Sequence, residues 1–310
     1  NLGVFKMKKQ LLIAAVAATM ASVSMADISI TGNGAVTYTN VDADTGAGSN
    51  TFAHDVDFTI VGKNGDTSVS ATFATTSESD GTTVTSGLQT ENVFMKTSVA
   101  GVNIKMGSWT GADTLLSNGT RSDGKFSADT TINGIKLQFE DKNASDASVT
   151  VSGSVSGVKV SHEMFQTSTD TSVSGELAGV SIAYRSVDVD GANVGAVTDK
   201  TSLEISKEFN GVTLTYANAD VAVGGTTVSD AFLGTQSAQN NISGFGLATA
   251  LAGNDVSVKR ITTNATDGAV DVNTTEVVIT RALASGATFE ATYTDEETQT
   301  TLDLELAVKF

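Results

Sequence analysis

The side chains able to do chemistry in this chain are lysines and carboxylates, set at alternate positions of short segments whose other positions are apolar. Lys96, Lys105, Lys136, Lys159 and Arg185 make up a basic set. Asp55, Asp57, Glu140, Glu163, Glu204, Glu208, Glu290, Asp303 and Glu305 make up an acidic one. Rows of fixed charge of this kind set the field over a wet surface and do not build a catalytic constellation. The chain has no Cys, which excludes a disulfide scaffold, thiolate metal sites and a Cys nucleophile. His54 and His162, the two histidines, lie in separate alternating segments and read as structural side chains. No nucleophile elbow, phosphate loop or zinc spacing is present, so no enzyme is expected. Asp42-Ala43-Asp44-Thr45-Gly46 and Asp188-Val189-Asp190-Gly191-Ala192-Asn193 carry the oxygen ligands that Ca²⁺ prefers. Neither has the spacing of a full Ca²⁺ loop; both read as solvated acidic loops, and Ca²⁺ is the one cofactor they would admit.

The elements that position these charges are β-strands. Val56, Phe58 and Ile60 oppose Asp55, Asp57 and Thr59; Ile135, Leu137 and Phe139 oppose Lys136, Gln138 and Glu140. Successive strand side chains point to opposite sides of a sheet, so each such stretch has an oily face and a wet face. The last stretch, Thr300 to Phe310, is the clearest: Leu302, Leu304, Leu306, Val308 and Phe310 on one side, Thr301, Asp303, Glu305, Ala307 and Lys309 on the other. A spacing of two is no helical face. The composition agrees, being rich in Thr, Ser and Val, with 30 Gly and no Pro. A soluble sandwich would alternate too, with its wet face outward, and alternation alone does not say which face is convex. The net charge of −17 argues against nucleic acid as a partner, since binding there depends on neutralising phosphates.

The beginning of the chain bears on that choice. Met7-Lys8-Lys9 opens a basic region, Leu11 to Val23 is apolar, and Ser24-Met25-Ala26 supplies small residues before Asp27. Residues 1–26 read as a secretory signal peptide, with 1–6 as an upstream extension, and its removal makes the remainder more acidic still. No second apolar run of about eighteen or more residues follows, so a membrane helix is not expected in 27–310. An exported chain of this kind enters a membrane only as a closed barrel, because every backbone polar group must find a partner there.

From Asp27 the chain repeats strand, tight turn, strand and longer polar link. The tight turns are Lys63-Asn64-Gly65-Asp66, Ala100-Gly101, Asn133-Gly134, Ser156-Gly157, Ala178-Gly179, Asn210-Gly211, Gly253-Asn254 and Ser285-Gly286. Asn-Gly is the strongest of these as a hairpin signal, because both turn positions need positive φ. The longer links fall at 42–52, 78–89, 110–127, 142–147, 167–170, 187–198, 220–238 and 265–273, with a short ninth at 295–297. Short turns at one end and longer loops at the other is the asymmetry of outer-membrane barrels. Eight hairpins plus the first and last strands predict eighteen strands, with 127–141 and 239–262 the least marked hairpins. The fold class expected is all-β, a closed antiparallel transmembrane barrel of 16–18 strands.

Three stretches resemble a known family. Ile28 to Val36 (ISITGNGAV) looks like the first strand of the alphaproteobacterial general diffusion porins, Phe94 to Trp109 like the hairpin leading into their third loop, and Leu306 to Phe310 like their closing strand. The resemblance implies a Gram-negative outer-membrane porin of sixteen strands. It implies a third loop, here 110–127 with Asp113, Arg121, Asp123 and Lys125, that folds inward to narrow the pore. It also implies a terminal signal (Leu306, Val308, Phe310) read by the barrel assembly machinery, contact with outer-membrane lipid and lipopolysaccharide, and a homotrimer. With the oily register toward lipid, the basic and acidic sets above line the lumen. The function expected is passive diffusion of small hydrophilic solutes and ions with mild cation selectivity. The alternatives are a substrate-specific channel of eighteen strands and a surface or adhesin-type β protein without a pore. The third loop lacks the family's acidic run, and a single Trp and four Tyr make a thin aromatic girdle.

Overall fold

The computed structural model describes residues 27–79, 84–110, 121–142, 147–189, 199–221, 226–230, 232–238, 241–264 and 271–310. The signal-peptide reading of 1–26 and the placement of Asp113 lie outside the described residues, as do the side chains of Arg121 and Asp123. Among the described residues twenty strands form. The first ten are β1 (Asp27–Ala43), β2 (Ser49–Asn64), β3 (Thr67–Ser79), β4 (Val84–Val99), β5 (Val102–Thr110), β6 (Arg121–Ile132), β7 (Ile135–Lys142), β8 (Ser148–Val155), β9 (Val158–Met164) and β10 (Ser168–Leu177). The rest are β11 (Val180–Val189), β12 (Lys200–Phe209), β13 (Val212–Val221), β14 (Thr226–Asp230), β15 (Gly234–Ala238), β16 (Asn241–Leu251), β17 (Asn254–Asn264), β18 (Val272–Ala282), β19 (Ala287–Glu296) and β20 (Gln299–Lys309).

All but β14 and β15 join one 18-stranded antiparallel sheet, in which each strand pairs with its neighbours in sequence and β13 pairs with β16. The sheet closes on itself where β1 pairs with β20, from Asn33 opposite Lys309 to Ala43 opposite Gln299. Gly32 and Phe310 then exchange backbone hydrogen bonds of 2.8 and 2.9 Å, so the terminal aromatic is locked into the seam. Closure leaves no long unpaired edge. The count read from the turns is the count that forms; the sixteen implied by the resemblance is not. Both of the less marked hairpins are present, as β6–β7 and β16–β17.

The tight turns explain the register. Six of them hold positive φ at both central residues, as in Asn133 and Gly134 at 52° and 82°, and this conformation matches the twist of the flanking strands. In each the second residue is Gly. That order moves the turn expected at Gly253-Asn254 one residue back, to Ala252-Gly253, where φ is 53° and 79°.

A cavity of about 580 Å³ identifies the inside. Lys63, Ser68, Lys96, Lys105, Ser127 and Gln138, one from each of six consecutive strands β2 to β7, share it, so their face is the concave one. Directly opposed residues of paired strands lie on one face, and the register carries the assignment around the whole barrel. Asp303 and Glu305 are concave; Leu302, Leu304, Leu306 and Val308 are convex. The large apolar side chains that are exposed, among them Ile30, Phe52, Leu214 and Phe245, fall on the convex face, Val272 excepted. An oily exterior and a polar interior is the reverse of a soluble sandwich, and it fits a barrel solvated by lipid.

One part of the inner wall breaks this pattern. The strands β14 and β15 form a separate hairpin between β13 and β16, and its turn carries Phe232 and Leu233. Leu233 is fully buried against concave residues of three strands: Ala217, Ala219 and Val221 of β13, Ile242 of β16 and Ile261 of β17. Phe232 and Val187 pack at the margin of the cluster. Gly244 and Gly246 form the floor: a Cβ on Gly244 would stand 3.0 Å from Leu233 Cδ2, and one on Gly246 would stand 3.1 Å from Phe232 Cζ. The hairpin therefore sits inside the barrel. Removing the Leu233 side chain from water stabilises the docking by about 1.5–3 kcal/mol, and partly covering Phe232 adds to it.

Candidate functional site: the concave wall

The wall facing the cavity is basic along β4 to β7. Lys96 and Lys105 lie directly opposite one another, and Lys125, Lys136 and Lys142 continue the series on β6 and β7. Lys136 and Lys159, beside the tight turns that open their strands, and Arg185 on β11 are concave as well. The ammonium of Lys105 stands 4.1 Å from the ring centres of both Phe94 and Trp109. The acids of this arc are engaged: Asp129 lies 3.8 Å from Lys136 and Glu140 3.3 Å from Lys142.

The arc through β18, β19, β20, β1 and β2 is acidic. Glu290 and Glu305 oppose each other across β19 and β20, with Asp303 above them and Asp55 and Asp57 two strands on. Neutral donors hold these carboxylates: Thr280 donates to Glu290 at 3.0 Å, Asn33 to Asp57 at 3.3 Å, and Thr39 to Asp303. One oxygen each of Asp55 and Asp57 is buried without a hydrogen-bond partner in the structure. Between the two arcs the inner wall carries paired charges. Arg185 donates to Asp170 through Nε at 2.8 Å and through Nη2, and Lys259 meets Glu276 at 2.9 Å. Glu163 lies opposite Asp170, and Glu204 and Glu208 face inward from β12 toward Ala217 and Thr213.

The basic and acidic sets singled out from the sequence thus share the inner face. The segment expected to narrow the barrel is described only at its ends. Pairing of β5 with β6 runs as far as Thr110 opposite Arg121, so the strands take both ends of 110–127, and 111–120 lies outside the described residues. Lys125 is a nearly buried wall residue, not part of a loop. Among the described residues, the segment docked inside is the β14–β15 hairpin. Its signal was available: Phe232-Leu233 is an apolar pair in an otherwise polar link, and Ala217, Ala219 and Ile242 are apolar at inward positions of their strands. Trp109 and the pair Lys259–Glu276 were likewise missed, although strict alternation puts each on the concave face.

The histidines are convex. His162 Nδ1 lies 2.8 Å from Thr171 Oγ1 of the next strand, and His54 is opposite Val36. Among the described residues no group of three or more His, Cys, Asp or Glu side chains could hold a metal ion.

No family model matches this chain, and no curated protein does. Solved structures do. OccD3 (OpdP) of Pseudomonas aeruginosa superposes with a TM-score of 0.67 at 12% identity, covering 91% of this chain and 91% of that one. The outer membrane protein OpdK of the same organism gives 0.65 at 10%, covering 91% and 99%. OccK2 (OpdF) of Pseudomonas aeruginosa in complex with glucuronate gives 0.66 at 12%, covering 92% and 98%. At these identities the likeness is one of fold, and it extends over nearly the full length of both partners.

Proposed function

We propose that this protein is an outer-membrane channel through which small hydrophilic solutes and ions diffuse passively. The observation that carries the reading is a closed barrel of eighteen strands whose inner wall is charged and whose outer wall is apolar. About eight strands leave an interior that side chains fill, and sixteen or more leave an aqueous passage. The lysines and carboxylates described on the inner wall act through their field. Acids exceed bases around the inner wall, which raises the concentration of cations inside and gives mild cation preference; the lysines of β4 to β7 oppose it locally. The likeness of Ile28–Val36 and Leu306–Phe310 to strands of general diffusion porins supports a passive route and delivery by the barrel assembly machinery.

A more selective channel is the second reading, and the inward hairpin favours it. An element anchored on one wall, facing a basic arc on another, narrows the passage and gives it a chemical bias. The solved barrel of OccK2 with glucuronate shows that a channel of similar shape holds a small organic anion. Swelling of proteoliposomes separates the two. A general channel admits neutral sugars and sugar acids at rates ordered by size. A selective one admits sugar acids ahead of neutral sugars of equal size, and exclusion of both overturns the channel reading.

A further inference from the structure

The aromatic pair on the basic arc has no place in an ordinary core. Trp109 is 7% exposed, yet its neighbours in ring contacts are Phe94, edge-on at 6.4 Å and 75°, and two ammonium groups. Lys105 is 4.1 Å from each ring centre, Lys125 is 5.1 Å from that of Trp109, and Lys96 is 5.2 Å from that of Phe94. Lys96 and Lys105 are direct cross-strand partners, a like-charge arrangement that opposes sheet pairing. The negative faces of the rings offset that repulsion.

The backbone is built to admit this cluster. Gly107 lies between Lys105 and Trp109 on the same face of β5, directly across from Phe94. Its φ is +135°, and a Cβ there would stand 2.2 Å from the carbonyl oxygen of Val93 and 2.7 Å from Phe94 Cα. A side chain at 107 would therefore push β4 away at the residue that carries the Phe94 ring. On the other side of β5 the register with β6 shifts between Gly107 and Trp109, and Gly124 adopts a φ of +69°. Such bulges re-aim side chains. Lys125, next to it, is 4% exposed.

We propose that Phe94 and Trp109 are positioning residues for ion preference, a bracket that holds Lys105 and Lys125 against the wall and mutes their charge toward the lumen. The proposal rests on the channel reading. It differs from a count of charges, since the rings carry none. With the bracket intact, the lysines are partly offset by ring faces; without it, their ammonium groups extend into the passage and attract anions.

The test uses the full-length refolded barrel and its variants Trp109→Leu, Trp109→Phe and Phe94→Leu, each checked for folding by heat-modifiable mobility. Reversal potentials across a KCl gradient should show the K⁺/Cl⁻ permeability ratio falling about twofold in Trp109→Leu, the size of a weak cation–π contact, and unchanged in Trp109→Phe. A ratio in Trp109→Leu equal to that of the parent overturns the proposal. If Trp109→Leu does not fold, Phe94→Leu takes its place with the same expected direction. A second measurement is independent of current. After reductive ¹³C-methylation, the dimethyl signal assigned through Lys105→Gln should be shifted upfield by ring currents in the parent and released in Trp109→Leu. Its absence from the parent overturns the bracket whatever the currents show. A parent that carries the shifted signal but passes no current overturns the channel reading and leaves the positioning by the rings standing.

Discussion

Two parts of the inner wall follow the same alternation to opposite ends. Along β4 to β7 the inward positions are Lys96, Lys105, Lys125 and Lys136, with Phe94 and Trp109 folded over the charges. Along β13, β16 and β17 the inward positions include Ala217, Ala219, Ile242 and Ile261, and the hairpin turn at Phe232-Leu233 covers them. Both stretches are strand by the same criteria. Polarity at an inward position is decided by what faces it: water in the first arc, protein in the second. A barrel wall with a dry inner patch is therefore a wall with something docked on it.

The largest effect should come from breaking the dry patch. Leu233→Asp places a carboxylate in a fully buried site, and removing the leucine alone costs about 2–5 kcal/mol of docking. The hairpin should leave the wall while the barrel stays closed, because β13 pairs with β16 without it. Proteinase K should then cut within 226–238 in the variant and spare the parent, with the rest of the barrel resistant in both.

Next in size is the contrast between outside and inside on a single strand. Leu304 is convex and Glu305 is concave. Leu304→Arg puts a charge toward lipid and should cost about 2–4 kcal/mol near the midplane, whereas Glu305→Arg should cost far less. Reversible urea unfolding in lipid vesicles measures both, and equal losses would mean that the register of β20 is wrong.

The smallest effect sharpens the wet arc. Replacing Lys96, Lys105 and Lys136 together by Gln should raise cation preference and leave stability nearly unchanged. The change should shrink toward about 1 M salt, where the screening length falls to about 3 Å. An unchanged reversal potential at low salt would remove these lysines from the conducting path.

Much of this architecture was legible in the chain. The turn pairs with Gly second, and the period-two runs between them, determine strand number and register because both signals are local. Phe310 stands out for the same reason, as the last apolar residue of its series. The hairpin was not legible in this way. Its strands β14 and β15 are five residues each, too short for alternation to register, and its anchor is two residues whose partners lie on β13, β16 and β17. The expected inward segment at 110–127 rested on likeness to the general diffusion porins. Here β5 and β6 use the ends of that segment for pairing. The ring bracket was hidden because alternation gives the faces of Phe94 and Trp109 but not the ring contacts they make across β4 and β5.

Single-channel recording in planar lipid bilayers, with the parent and Leu233→Asp measured side by side, decides whether the barrel conducts past its inward hairpin. The parent should give discrete, stable current steps and the variant larger ones, because its hairpin no longer occupies the lumen. A folded, heat-modifiable barrel that inserts and passes no current would contradict it.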